Sequence, residues 1–296
     1  MTRRAFLSGA AALSAHWATQ NKSLLAMEGY IFQQYAESLK KPLEALTDQV
    51  LPMARAAGFR NIELNPAFFL PDGRERTLSI LRSQGLLMPS LYVGGSMHES
   101  EGAERTIATA LEFGKLCAPF GCKAIVNNPD PKLGDALKTE AELNVQAESL
   151  NRMGRVLAQH GFDLRVHHHT PQLADNAREW RHILRHTDPE YVHICVDVDW
   201  AYEAGFEPLP FLREVGSRLR ELHVRSAKNK LWLEDLEDSD IDYRQVAEYL
   251  NEERLAPLIV VELAYRSKTV VTRSLEEDLR VSRIYAEKVF GVKANA

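Results

Sequence analysis

One pattern recurs eight times along this chain: a short, β-rich apolar run, a polar loop, then an amphipathic stretch with helical spacing. The runs are GYIFQQ from Gly29, RNIEL from Arg60, LLMPSLYV from Leu86, CKAIVN from Cys122, FDLRVHHH from Phe162, YVHICVDV from Tyr191, LRELHVR from Leu219 and LIVVEL from Leu258. Between them lie LEALTDQVLPMARAAG, RTIATALEFGKLCAPFG, AELNVQAESLNRMGRVLAQHG and SLEEDLRVSRIYAEKVF. Gly58, Gly121 and Gly161 stand where such helices should end in a left-handed cap. Alternating strands and helices imply a parallel sheet, and eight units in about 270 residues predict a single (β/α)8 barrel of the α/β class. A doubly wound sheet would need a Gly-rich phosphate loop after its first strand, and GYIFQQYAESLKK has none.

The first residues stand apart from this pattern. The chain opens MTRRAFLSGAAALSAHW, with Arg3 and Arg4 directly before an apolar stretch too short to span a bilayer. This resembles a twin-arginine export signal, expected over residues 1–26, and leaves 27–296 as the catalytic barrel. The mature protein is therefore expected in the periplasm, exported folded and with no stable membrane association afterwards. With 36 basic and 41 acidic side chains there is no basic footprint, which argues against a nucleic-acid partner. Three cysteines (Cys117, Cys122 and Cys195) cannot form a closed disulfide framework and are expected as buried thiols.

A barrel keeps its chemistry at the C-terminal ends of its strands. Nearly every run ends in polar residues there: Glu63, Asn127 with Asn128, His167-His168-His169, Asp197 with Asp199, His223 and Glu262. Strand alternation puts His167 and His169 on one face and His168 on the other. Glu262 in LIVVELAY is a carboxylate among aliphatic neighbours, costly to bury unless a cation stands nearby. Histidine, aspartate, histidine and glutamate from four strands suit Mn²⁺, Zn²⁺, Co²⁺ or Fe²⁺ better than Ca²⁺.

The ordered pieces VHHH, VDVDWAYEAG, ELHVR, DIDYRQVAEYL and VVEL resemble the xylose isomerase-like TIM-barrel superfamily. Within it they are most similar to the sugar phosphate isomerase/epimerase group, which includes inosose dehydratases and tagatose/psicose epimerases. The resemblance runs from about Gly29 to Phe290. It implies one divalent ion, Mn²⁺ first among the candidates, held by His167, Asp197, His223 and Glu262. His169 is the inward neighbour that such enzymes place near substrate, although which of His167 and His169 binds the ion stays open. The chain departs from the pattern in two places. His167 stands where a glutamate is usual, and Trp200 replaces the histidine of DTGH. Epimerases of this family use two opposed glutamates, so the first departure disfavours two-base epimerisation and leaves one-base chemistry intact.

The expected function is a metal-dependent sugar isomerase or epimerase-type enzyme working through a metal-stabilised enolate or enediolate. Glu262 would be the base and His169 the proton relay. The alternative is a lyase that eliminates a β-substituent from a keto-sugar, in the manner of an inosose dehydratase or a 3-keto-glycoside lyase. A non-catalytic periplasmic sugar-binding protein is the third reading. Glu63, His98, Asn127, Arg225 and Glu234 are the expected substrate-binding residues, and the partner is a small sugar or glycoside. Self-association into a homo-oligomer is left open.

Overall fold

The structure is a computed structural model that describes residues 23–294. The twin-arginine pattern lies outside these residues, apart from the last few positions of the expected segment. The barrel strands are β1 (Leu25–Glu28), β2 (Asn61–Glu63), β3 (Ser90–Tyr92), β4 (Ala124–Asn127), β5 (Asp163–Val166), β6 (Val192–Asp197), β7 (Leu219–Val224) and β8 (Leu258–Val261). All pair in parallel, in the order β2-β1-β8-β7-β6-β5-β4-β3. Single bridges from Asn61 to Leu87 and from Leu64 to Leu91 close the ring between β2 and β3. Sequential order around a closed ring is the (β/α)8 barrel, and it excludes the doubly wound alternative.

Seven of the eight runs contain the strand expected of them. The first does not. GYIFQQ begins helix α1 (Tyr30–Ser38), whose Ile31, Phe32 and Ala36 are buried on one face. The strand lies just upstream in LAME, where Leu25, Ala26 and Met27 pair with Ile259, Val260 and Val261. The barrel thus begins at Leu25, two residues before the expected start at Met27. The outer layer includes α2 (Thr47–Ala56), α3 (Arg74–Gln84), α4 (Ser100–Cys117), α5 (Glu140–Gln159), α6 (Ala174–His186), α7 (Val198–Glu203), α8 (Pro208–Val215), α9 (Tyr243–Glu252) and α10 (Leu275–Phe290). Gly121 (φ 90°) and Gly161 (φ 80°) adopt the left-handed conformation expected where the chain leaves α4 and α5. The three cysteines are free and buried, and none of the described helices is long and apolar enough to cross a membrane.

Strand alternation divides the buried side chains into two sets. Outward-facing residues such as Leu25, Met27, Ile62, Ile259 and Val261 merge with the helices into one apolar shell. Inside the ring, Ala26, Leu258 and Val260 form a small separate cluster. Above that cluster the interior turns polar: Glu63, Ser90, Asn127, His167, Asp197, Glu221 and His223 are all fully or almost fully buried.

Candidate metal centre and pocket

His167, Asp197, His223 and Glu262 each offer a donor atom, and these atoms lie within 4.8 Å of one another. Four strands bring them together. His167 follows β5 directly, Asp197 ends β6, His223 is the penultimate residue of β7, and Glu262 follows β8. The Nδ1 of His223 is 2.7 Å from Glu262 Oε2. Arg225, two residues further along, donates one Nη2 to both Asp197 Oδ2 and Glu262 Oε1, each at 2.6 Å. Asp197 also caps α7 by accepting the Trp200 amide at 2.9 Å.

This ring fits a divalent cation on three counts. Its donors are the imidazole and carboxylate set that borderline metals prefer. The Nε2 of His167 is buried with no hydrogen-bond partner, although Asp197 Oδ2 stands 3.9 Å away. Two buried carboxylates converge on a single guanidinium, so their oxygens already face a point where positive charge is held. Burial pushes Glu262 up, but Arg225 and the His223 hydrogen bond outweigh it and hold it down at about 2. Burial, reinforced by Glu262, raises Asp197 to about 7 despite Arg225.

Below the ring, His223 turns its other nitrogen toward a second carboxylate cluster. Its Nε2 stands 3.2 Å from Glu63 Oε1 and 3.5 Å from Glu221 Oε1. Glu221 is in turn held by Arg165 Nη1 at 2.7 Å and by the Ser90 hydroxyl at 3.0 Å. Carboxylates behind the far nitrogen of a ligating histidine fix its ring orientation and leave the near nitrogen free to bind a metal.

Beside the ring, and sharing Glu262 and Arg225 with it, opens a cavity of about 660 Å³. Its walls include Glu28, Tyr30, Asn65, Tyr92, His169, Trp200, Arg225, Trp232, Glu262, Tyr265 and Arg266. Trp232 is held between two guanidiniums, with Arg225 at 4.3 Å and Arg266 at 3.8 Å from its ring centre. His169 meets Trp200 edge-on at 5.2 Å, and burial lowers its pKa to about 4, so it is a neutral imidazole at neutral pH.

The remaining expected site residues fall into two groups. His169 and Arg225 reach the cavity, and Arg225 does so as the internal cation of the ring. Glu63 lies behind His223 with no exposure. Asn127 spends its amide on the Val93 carbonyl at 2.7 Å. His98 sits in the field of Lys138 and Glu99, and Glu234 accepts from Thr272 and pairs with Arg273. None of these four is among the residues that line the cavity. His168 packs on Trp180 and Phe211 outside the ring, as the alternation predicts. Unforeseen in the sequence were Glu28, Tyr30, Tyr92, Tyr265 and Arg266.

Comparison with known proteins adds the lineage. An inosose dehydratase of Geobacillus kaustophilus is 23% identical over 209 residues, 67% of each chain. One of Bacillus velezensis is 30% identical over 90 residues, only 30% of each chain, so the match spans less than a third of that relative. A solved sugar phosphate isomerase/epimerase from Parabacteroides distasonis shares the fold with a TM-score of 0.70 at 18% identity, over 93% of this chain and 97% of that one. The family model described as xylose isomerase-like TIM barrel matches residues 51–285, most of the barrel. The chain belongs to the xylose isomerase-like TIM-barrel family.

Proposed function

We propose that this protein is a divalent-metal-dependent lyase that removes a β-substituent from a keto-sugar or keto-glycoside. The observation that carries the reading is the ring of four buried donors, one of which, Glu262, also lines a cavity of sugar size or larger. His167, Asp197, His223 and Glu262 would hold the ion, Mn²⁺ or else Zn²⁺, Co²⁺ or Fe²⁺. When bound, it would supply Lewis-acid polarisation of a substrate carbonyl oxygen.

The chain's own residues divide the rest of the work. Both oxygens of Glu262 are already engaged, one by Arg225 and one by His223, which suits a ligand better than a base. His169 reaches the cavity without belonging to the donor ring, so we assign it the proton α to the carbonyl. Arg225 holds Asp197 and Glu262 in place and favours their ionised forms. The aromatic wall of Trp200, Trp232, Tyr30 and Tyr265 excludes water and offers faces for a sugar ring to lie on.

Two features favour elimination over epimerisation. The β5 position that would hold the second glutamate of an epimerase is His167, a member of the donor ring. The curated relatives named above are dehydratases. An exported enzyme would also meet free sugars and glycosides more often than sugar phosphates. The test is mass balance on 3-keto-glucosides with purified, metal-loaded protein. Release of the aglycone with an unsaturated keto-sugar supports the lyase, whereas an isomer of unchanged mass returns the assignment to isomerase. His169→Asn should keep the metal and lose turnover; full turnover in that variant would remove His169 as the base.

A further inference from the structure

The donor ring leaves one buried carboxyl group of the cavity unused. Glu28 is the last residue of β1. Met27 pairs with Val261 and Glu28 with Glu63, so Glu28 stands level with Glu262 on the neighbouring strand. It is 4% exposed, yet it lines the cavity. Its one hydrogen bond among the described residues comes from the Tyr30 amide to Oε2, so Oε1 has no partner. It belongs to none of the donor clusters found among the described residues.

We propose that Glu28 is the general acid of this pocket, the group that touches the departing oxygen of the substrate and hands it a proton. The assignment rests on the lyase reading above. β1 and β5 are four strands apart in the ring of eight, so Glu28 and His169 face each other across the cavity from opposite walls. A substrate lying between them has its α-carbon open to one and its leaving group open to the other. In the step, His169 takes the α-proton and the C–H electron pair enters the carbonyl as an enolate. That pair then forms the C=C bond as the β C–O bond breaks, and the leaving oxygen takes the Glu28 proton. The products are an unsaturated ketone and an alcohol. Water carries the proton from His169 back to Glu28, so the enzyme returns to its starting state.

The surroundings of the two neighbouring glutamates support this division. Glu262 has a guanidinium and an imidazole against it. Glu28 has no cation in contact among the described residues. Burial first, then the nearby charges of Glu262 and Glu63, raises its pKa well above the ordinary carboxyl range. A purely structural Glu28 would need only to accept the Tyr30 amide, which a glutamine does equally well.

The experiment uses the metal-loaded full barrel and two probes, the 3-keto-glucosides of 4-nitrophenol and of methanol. Nitrophenolate leaves without help, whereas methoxide needs a proton. Glu28→Gln should slow release of methanol by about 10²–10⁴-fold, the usual contribution of a general acid, and leave nitrophenol release little changed. Glu28→Asp, which keeps a transferable proton, should recover part of the methanol rate. An equal loss on both probes, or no loss on either, overturns the proposal while the lyase reading stands. Loss of bound metal in Glu28→Gln would make Glu28 a ligand and overturn it too. Wild-type protein that releases neither aglycone overturns the lyase reading and the acid role with it.

Discussion

The two faces of the same eight strands follow opposite rules. Outward residues such as Met27, Ile62 and Val261 join an almost purely apolar shell with the helices. Inward residues reverse within two steps from the aliphatic cluster of Ala26, Leu258 and Val260 to buried carboxylates and imidazoles. The histidine run shows the contrast one residue apart. His167 turns inward to the donor ring, while His168 turns outward onto Trp180 and Phe211 with both ring nitrogens unpartnered. The same side-chain type therefore joins the donor ring or the packing according to strand parity alone. In this molecule the outer face is apolar packing and the inner face carries the charge, and each inner charge must be answered by another.

The largest test of that contrast strikes the inner ion pair. Arg165→Met removes the guanidinium from buried Glu221, leaving it the Ser90 hydroxyl and His223, and should cost about 3–5 kcal/mol in urea unfolding. Adding Glu221→Gln to it should restore a large part of the loss. An Arg165→Met protein as stable as wild type would mean that the interior tolerates unanswered charge. Next comes the ligand set. His223→Ala should abolish bound metal in elemental analysis and cost activity beyond the roughly 10–100-fold typical of outer-shell changes. Stoichiometric metal in that variant would break the assignment of the inner face.

Chelation of wild-type protein should lower the melting temperature, because an ion present at 100 times its Kd stabilises the folded state by about 2.7 kcal/mol. His168→Phe sharpens the comparison from the outside: metal content unchanged and stability within about 1.5 kcal/mol of wild type. Smallest of all, Glu234→Gln should leave turnover and metal content unaltered in a standard assay, since its partners are Thr272 and Arg273 rather than the cavity.

Much of this could be read from the chain because strand parity is a strict rule. The eightfold pattern gives the barrel, and polar residues at strand ends give a donor set that the fold does assemble. Where parity ran out, the reading weakened. LAME is a four-residue strand of weak β-formers pressed against the expected export segment, whereas GYIFQQ is rich in β-branched and aromatic residues. Its buried residues nevertheless fall at helical spacing, and it folds as α1. That shift by one element hid Glu28, which stands at a strand end only once β1 is placed correctly. His98 and Glu234 lie on loops, where no period tells which way a side chain turns. Glu63 carries a different lesson. Its inward direction was legible, but its depth was not: it is fully buried against His223.

The indole of Trp232, clasped by Arg225 and Arg266, gives the protein a built-in optical gauge. Arg225 is also the cation that Asp197 and Glu262 share, so filling the ring must redistribute charge directly against that indole. Emission from Trp232 should therefore shift on metal addition, and a Trp232→Phe control identifies its share of the signal. Titration of the ion can then be followed by fluorescence alone, before any substrate is known.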